Sequence, residues 1–215
     1  MKVKLTVLYD NKAKKPGLIA DHGFSCLIET PDTPKILFDT GDDGSILLHN
    51  MKELDIEPNG IGIVVISHPH GDHTGGLKDV IEANKEAEFY LPQSFRGGIS
   101  AKRVTKINEP FEIRRGIFTT GELRGTEQSL VINTSKGLVV VVGCSHPGVG
   151  NILDAAARFG EVYGIIGGLH SFRQFDRLDP LSLICPCHCT QYKSAIKRLF
   201  PDRCSDCGAG LVVEL

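Results

Sequence analysis

Ser67-His68-Pro69-His70-Gly71-Asp72-His73-Thr74-Gly75-Gly76 follows directly on the apolar run Ile61-Gly62-Ile63-Val64-Val65-Ile66. Three histidines and an aspartate fall within six residues, in a chain that has eight histidines in all. A run this apolar reads as a buried strand, so the polar cluster emerges at a strand end. His68 and His70 are two apart in an extended turn and can project toward one point. Asp72 and His73 lie beyond Gly71, beside a helix start, and can point to a second position nearby. Neutral imidazole and carboxylate suit zinc, and also iron or manganese. The positive helix end at Thr74 disfavours protonation of His73 and keeps it available as a ligand.

The rest of the chain bounds what surrounds this cluster. Its 215 residues, with no evident linker, fit one domain over 1–215. A composition of 41% hydrophobic and 23% charged residues is that of an ordinary globular protein. The net charge of -2 directs no strong field at nucleic acid or membrane. No apolar stretch approaches a membrane span; the longest, Gly137 to Gly143, is strand-length. Met1 to Asp10 reads as a strand rather than a signal peptide, so a cytoplasmic location is expected. The seven cysteines, an odd number, are then expected as thiols or metal ligands rather than as a disulfide framework.

Strands are predicted over Lys2 to Tyr9, Ser25 to Glu29, Lys35 to Asp39, Ile61 to Ser67, Glu88 to Leu91, Leu130 to Thr134, Leu138 to Val142, Val162 to Ile166 and Leu211 to Leu215. Helices are predicted over Ser45 to Leu54, Thr74 to Ala83, Asn151 to Phe159 and Gln191 to Phe200, with Asn151 and Thr190 as caps. Strands and helices in both halves imply sheets covered by helices on their outer faces. The halves echo each other. Val139-Val140-Val141-Val142-Gly143-Cys144-Ser145-His146-Pro147, like the first cluster, sets a Ser-His-Pro at the end of a buried strand before a glycine and a helix. Two facing half-domains would bring those histidines into one cleft.

Ser67 to Gly76 resembles the His-x-His-x-Asp-His signature of the metallo-β-lactamase superfamily. Ile36-Leu37-Phe38-Asp39-Thr40-Gly41 resembles its earlier strand motif, Gly143 to Gly148 the motif of the third histidine, and Pro186-Cys187-His188-Cys189-Thr190 the last motif. The resemblance covers nearly the whole chain, in the right order. It implies an α+β fold, a four-layer αββα sandwich with the site at one edge of two sheets. It implies one or two divalent metal ions, zinc first, with His68, His70 and His146 on one ion and Asp72, His73 and His188 on the other. Asp39 would support the site from behind its ligands, and Asp72 would also act catalytically by orienting a metal-bound hydroxide and accepting its proton.

The sequence departs from the family where a bridging aspartate is usual. Tyr163-Gly164-Ile165-Ile166-Gly167-Gly168-Leu169-His170-Ser171 has no carboxylate there and offers His170, as ligand or substrate group. With Asp21-His22-Gly23-Phe24-Ser25, whose His22 is a second such candidate, these motifs resemble a branch named for a dihydropterin-pathway synthase. Three functions follow. The first is a metal-dependent hydrolase of a small ester, lactone, thioester or phosphoester. The second is a pterin-pathway transferase whose metals hold a diphosphate leaving group. The third is a non-catalytic metal-binding or redox-sensing protein, disfavoured by the complete ligand set. Arg96, Lys102, Arg103, Lys106, Arg114, Arg115, Arg124, Arg173 and Arg177 admit an anionic small-molecule substrate. Cys185, Cys187, Cys189, Cys204 and Cys207 read first as packed thiols.

Overall fold

The computed structural model describes all 215 residues. It holds two sheets face to face. The first comprises β1 (Lys4–Tyr9), β2 (Ser25–Glu29), β3 (Lys35–Phe38), β4 (Ile61–Val65), β5 (Glu88–Pro92), β6 (Arg103–Ile107) and the returning β13 (Val212–Glu214), in the order β13-β1-β2-β3-β4-β5-β6. The second comprises β7 (Phe111–Arg114), β8 (Ile117–Thr119), β9 (Leu130–Thr134), β10 (Gly137–Val142), β11 (Val162–Gly168) and β12 (Leu183–Cys187), in the order β12-β11-β10-β9-β8-β7. In each sheet an antiparallel part passes into a parallel part, at β3 to β6 in the first and at β10 to β12 in the second.

The parallel strands explain the apolar runs. Val139 and Val141 of β10 face the core between the sheets, whereas Leu138, Val140 and Val142 face helices α4 (Val149–Ala156) and α5 (Lys193–Leu199). In β4, Ile63 and Val65 face the first core, and Val64 with the following Ile66 faces α1 (Gly44–Glu53) and α3 (Leu77–Ala83). A strand buried on both faces has no polar side to alternate with. Each such side chain contributes about 1.5–3 kcal/mol by leaving water. Helix, sheet, sheet and helix thus enclose three apolar layers, which makes the four-layer α+β sandwich.

Several local expectations change. The helix expected from Thr74 begins earlier as the short α2 (Gly71–Thr74) and resumes at α3. Asn151 is not the cap of α4, which starts after Gly148; its amide donates to the Pro147 carbonyl instead. Thr190 lies before the α5 boundary at Tyr192 and accepts the Leu169 N–H while donating to the Cys187 carbonyl. Asp43 caps α1, accepting from the Ser45 and Ile46 N–H groups. Cys185, Cys189 and Cys204 are free thiols, whereas Cys187 and Cys207 are disulfide-bonded, which corrects the reading as thiols for these two. The loop before β13 brings them together across 20 residues of sequence, and an odd count does not exclude one such pair. No helix is long and apolar enough to cross a membrane.

Candidate metal centre

Apart from His22, which lies in the segment between β1 and β2, every predicted ligand sits on a loop that leaves the C-terminal end of a parallel strand, where open α/β sheets place their sites. β4 leads to Ser67 and His68, β10 to His146, β11 to His170 and β12 to His188. Asp39 follows β3. The loops meet at one edge of the sandwich, and their backbones are bent to do so: Asp39, Ser145, His170 and His188 all have positive φ, at 59°, 62°, 47° and 42°. Such conformations cost a non-glycine residue free energy and gather at functional sites.

The turn after β4 is held against the segment after β3. Asp39, fully buried, accepts the Ser67 N–H at 2.7 Å and the Ser67 hydroxyl at 2.7 Å. Its carboxylate also takes the Nδ1–H of His73 at 2.7 Å. The trailing glycines permit this approach, since a Cβ on Gly75 would stand 1.8 Å from the Asp42 carbonyl oxygen.

Each buried or half-buried imidazole is fixed from its far side. His68 Nδ1 faces Ser67 Oγ at 2.8 Å, and that hydroxyl already donates to Asp39. His146 Nδ1 faces the Glu127 carboxylate at 3.0 Å, and His188 Nδ1 faces Asn11 Oδ1 at 2.8 Å. With acceptors on those nitrogens, the proton of each neutral ring sits on Nδ1. The Nε2 lone pairs of His68, His73, His146 and His188 are then free, and two groups of donors form from them. His68, His70 and His146 make one; Asp72, His73, Cys144 and His188 make the other, with donor atoms within 4.8 Å in each.

This arrangement fits divalent cations. His68 Nε2 lies 3.1 Å from His70 Nδ1, and His188 Nε2 lies 3.0 Å from Asp72 Oδ2, a lone pair against a carboxylate. His73 Nε2 lies 3.6 Å from the same oxygen. A tetrahedral ion bound at about 2.0–2.1 Å sets its donors roughly 3.3 Å apart. The groups adjoin, with the His68 and His73 rings 4.2 Å apart. Burial, then the neighbouring imidazoles, pushes His68 and His73 down to about 3, so both are neutral donors at physiological pH. Burial opposes charge on Asp72, but the nearby His188, His73 and His22 rings hold its carboxyl below the usual range.

His170 and His22 stand outside both groups. The His170 ring is 5.5 Å from that of His146, and together with Ser145, Val149, Leu169 and Phe172 they line a cavity of about 300 Å³. His170 thus lies beside His146 on the cavity side rather than within either donor group. His22, largely exposed, lies 3.2 Å from Asp72 Oδ2. Four of the basic residues are paired elsewhere: Arg103 and Arg114 with Glu88, Lys102 with Glu86, and Arg177 with Asp154. Arg173 lies over the Tyr192 ring, 4.7 Å from its centroid.

Three residues of the site carry no signal in the histidine motifs. Glu127, with no exposed surface, accepts the N–H groups of Gly143, Cys144 and Ser145 at 3.0 Å each and of His146 at 2.9 Å. Burial opposes its charge, but His146, His68 and these N–H groups bring it down to about 2. Asp10 accepts the His188 N–H at 2.6 Å, and Asn11 holds the His188 ring. The one available hint was a polar stretch, Asp10-Asn11 or Glu127-Gln128, at the end or start of an apolar strand. Cys144 stood inside a motif read only for His146.

A fold of two facing mixed sheets with a His-x-His-x-Asp-His loop at their edge defines the class. The metallo-beta-lactamase superfamily model matches residues 18–141, and the chain belongs to that superfamily. Among curated proteins it is similar to the 7,8-dihydropterin-6-methyl-4-(beta-D-ribofuranosyl)-aminobenzene-5'-phosphate synthase of Methanocaldococcus jannaschii, at 28% identity over 81% of this chain and 83% of the relative. An uncharacterized protein of the same organism is 29% identical over 90% of this chain and 93% of its own length. Among solved structures it is similar to Tm1679, described as a metal-dependent hydrolase of the beta-lactamase superfamily, at 27% identity and TM-score 0.77 over 99% of both chains.

Proposed function

We propose that this chain is a metal-dependent hydrolase of a small, anionic ester, lactone, thioester or phosphoester. His68, His70 and His146 hold one divalent cation and Asp72, His73 and His188 a second, with zinc the first candidate. The observation that carries the reading is the convergence of the His68, His73, His146 and His188 lone pairs with the Asp72 carboxylate, each ring fixed from behind. A bound cation of this kind acidifies water and stabilises negative charge developing on a substrate oxygen. Asp72, ionised and half-buried, is placed to accept a proton from the nucleophile. His170 and Phe172 line the cavity beside His146 and would contact the substrate there. The cavity volume of about 300 Å³ lies at the small end for ligand sites.

A second reading is a transferase that joins a dihydropterin to an aryl ribofuranosyl phosphate. What favours it is the similarity to a synthase of that name over most of both chains. The test is a metal-reconstituted enzyme assayed in parallel on phosphodiesters, lactones and thioesters, and for diphosphate release from a pterin diphosphate with its aryl acceptor. Turnover of the first set alone supports the hydrolase. Turnover of the pterin pair alone replaces it with the transferase.

A further inference from the structure

The group around Asp72 contains a donor that neither reading above employs. Cys144 Sγ lies 3.2 Å from His73 Nε2 and within 4.8 Å of the Asp72 and His188 donor atoms. We propose that Cys144 is a ligand of the cation held by Asp72, His73 and His188, bound through sulfur as a thiolate. The proposal rests on the reading of the site as a metal centre.

Three observations separate this from a packed thiol. First, Cys144 is 3% exposed but belongs to none of the three apolar clusters, whereas Cys26, Cys185, Cys187 and Cys207 all lie in the core between the sheets. It is buried among polar donors. Second, its backbone is immobilised. The N–H groups of Gly143 to His146 all end on Glu127, and the Ser145 hydroxyl donates to the Gly168 carbonyl at 2.7 Å. The loop that aims His146 at one donor group thus aims Cys144 at the other. Third, the span where a carboxylate would join the two positions, Tyr163 to Ser171, has none, and His170 lies outside both groups. Cys144 supplies an anionic donor from the loop after the neighbouring strand β10.

On binding, the S–H bond breaks, the sulfur lone pair forms the bond to the cation and the proton leaves to solvent. A thiolate makes this position softer than an all-nitrogen and oxygen site. It favours zinc, ferrous iron or cobalt over magnesium, calcium or manganese.

The test uses metal-free full-length protein titrated with Co(II) alone. The expected result is a near-ultraviolet thiolate-to-cobalt charge-transfer band in wild type, lost in Cys144→Ser and retained in Cys185→Ser and Cys189→Ser. Zinc-loaded wild type gives a second measurement that needs no variant: X-ray absorption should contain a sulfur shell at about 2.3 Å. The proposal is overturned if the band survives in Cys144→Ser, or follows Cys185 or Cys189. It is also overturned if wild type binds cobalt with no band and zinc with no sulfur shell, and the metal-centre reading then stands. Wild type that binds neither metal removes the metal-centre reading itself.

Discussion

The carboxylate of Glu127 takes the Nδ1–H of His146 at 3.0 Å while accepting the backbone N–H of the same residue at 2.9 Å. One buried side chain therefore fixes both the ring and the loop of the histidine that joins the second sheet to the site. The first sheet has its counterpart in Asp39, which holds the Ser67 turn and the His73 ring.

Glu127→Gln should weaken metal binding without removing any donor. The amide places an N–H₂ where an oxygen now accepts, so some N–H groups of the Gly143 to His146 loop lose their partner. Loss of such an outer contact lowers metal affinity about 10–100-fold. Competition with a calibrated chelator measures it, and unchanged affinity would show that the loop is held by other contacts.

Gly75→Ala should destabilise the fold and detach the cluster from the Asp39 segment. The added methyl meets the Asp42 backbone, which cannot rotate away as a side chain could. A cost at or above the upper end of roughly 1–3 kcal/mol is expected from urea unfolding. An effect of a few tenths would mean that the two segments separate easily.

His170→Ala should leave metal content intact and reduce turnover, because the ring lines the cavity beside His146 but joins neither donor group. A proton-transfer role corresponds to a loss of about 10²–10⁴-fold. Loss of metal along with activity would instead make His170 a ligand.

The metal-free protein should lose stability on acidification. His68 and His73 titrate at about 3 in the fold against 6.5 unfolded. Between those values the unfolded chain binds protons that the fold refuses, so stability falls as pH drops through that window. Asp39, raised by burial to about 7, acts in the opposite direction above 3.8, but the two histidines outweigh it. Glu127, held at about 2 against 4.5, adds to the loss at lower pH. The urea midpoint at about pH 5 should lie below that at about pH 7; an equal or higher midpoint contradicts the account.

The residues legible in the sequence were those whose type already implies their role. Val139 to Val142 and Ile63 to Ile66 could only be strands buried on both faces, and histidines two and five apart after one of them could only converge. The unread parts depend on contacts between distant segments. β6 is exposed at four of its five positions, so it shows no apolar alternation. β12 contains Pro186, which breaks a strand pattern in sequence yet is tolerated because β12 is an edge strand. Glu127 and Asn11 are ordinary surface residue types; Glu127 is buried only because of the loop and histidine that it holds, and Asn11 stays exposed while it holds the His188 ring.

The most direct measurement is elemental analysis of protein loaded with zinc and then desalted, comparing wild type with His68→Ala and His146→Ala. The account predicts at least about one tightly held transition-metal ion per chain in wild type and a clear loss in both variants. Wild-type protein that folds yet retains no transition metal would contradict it.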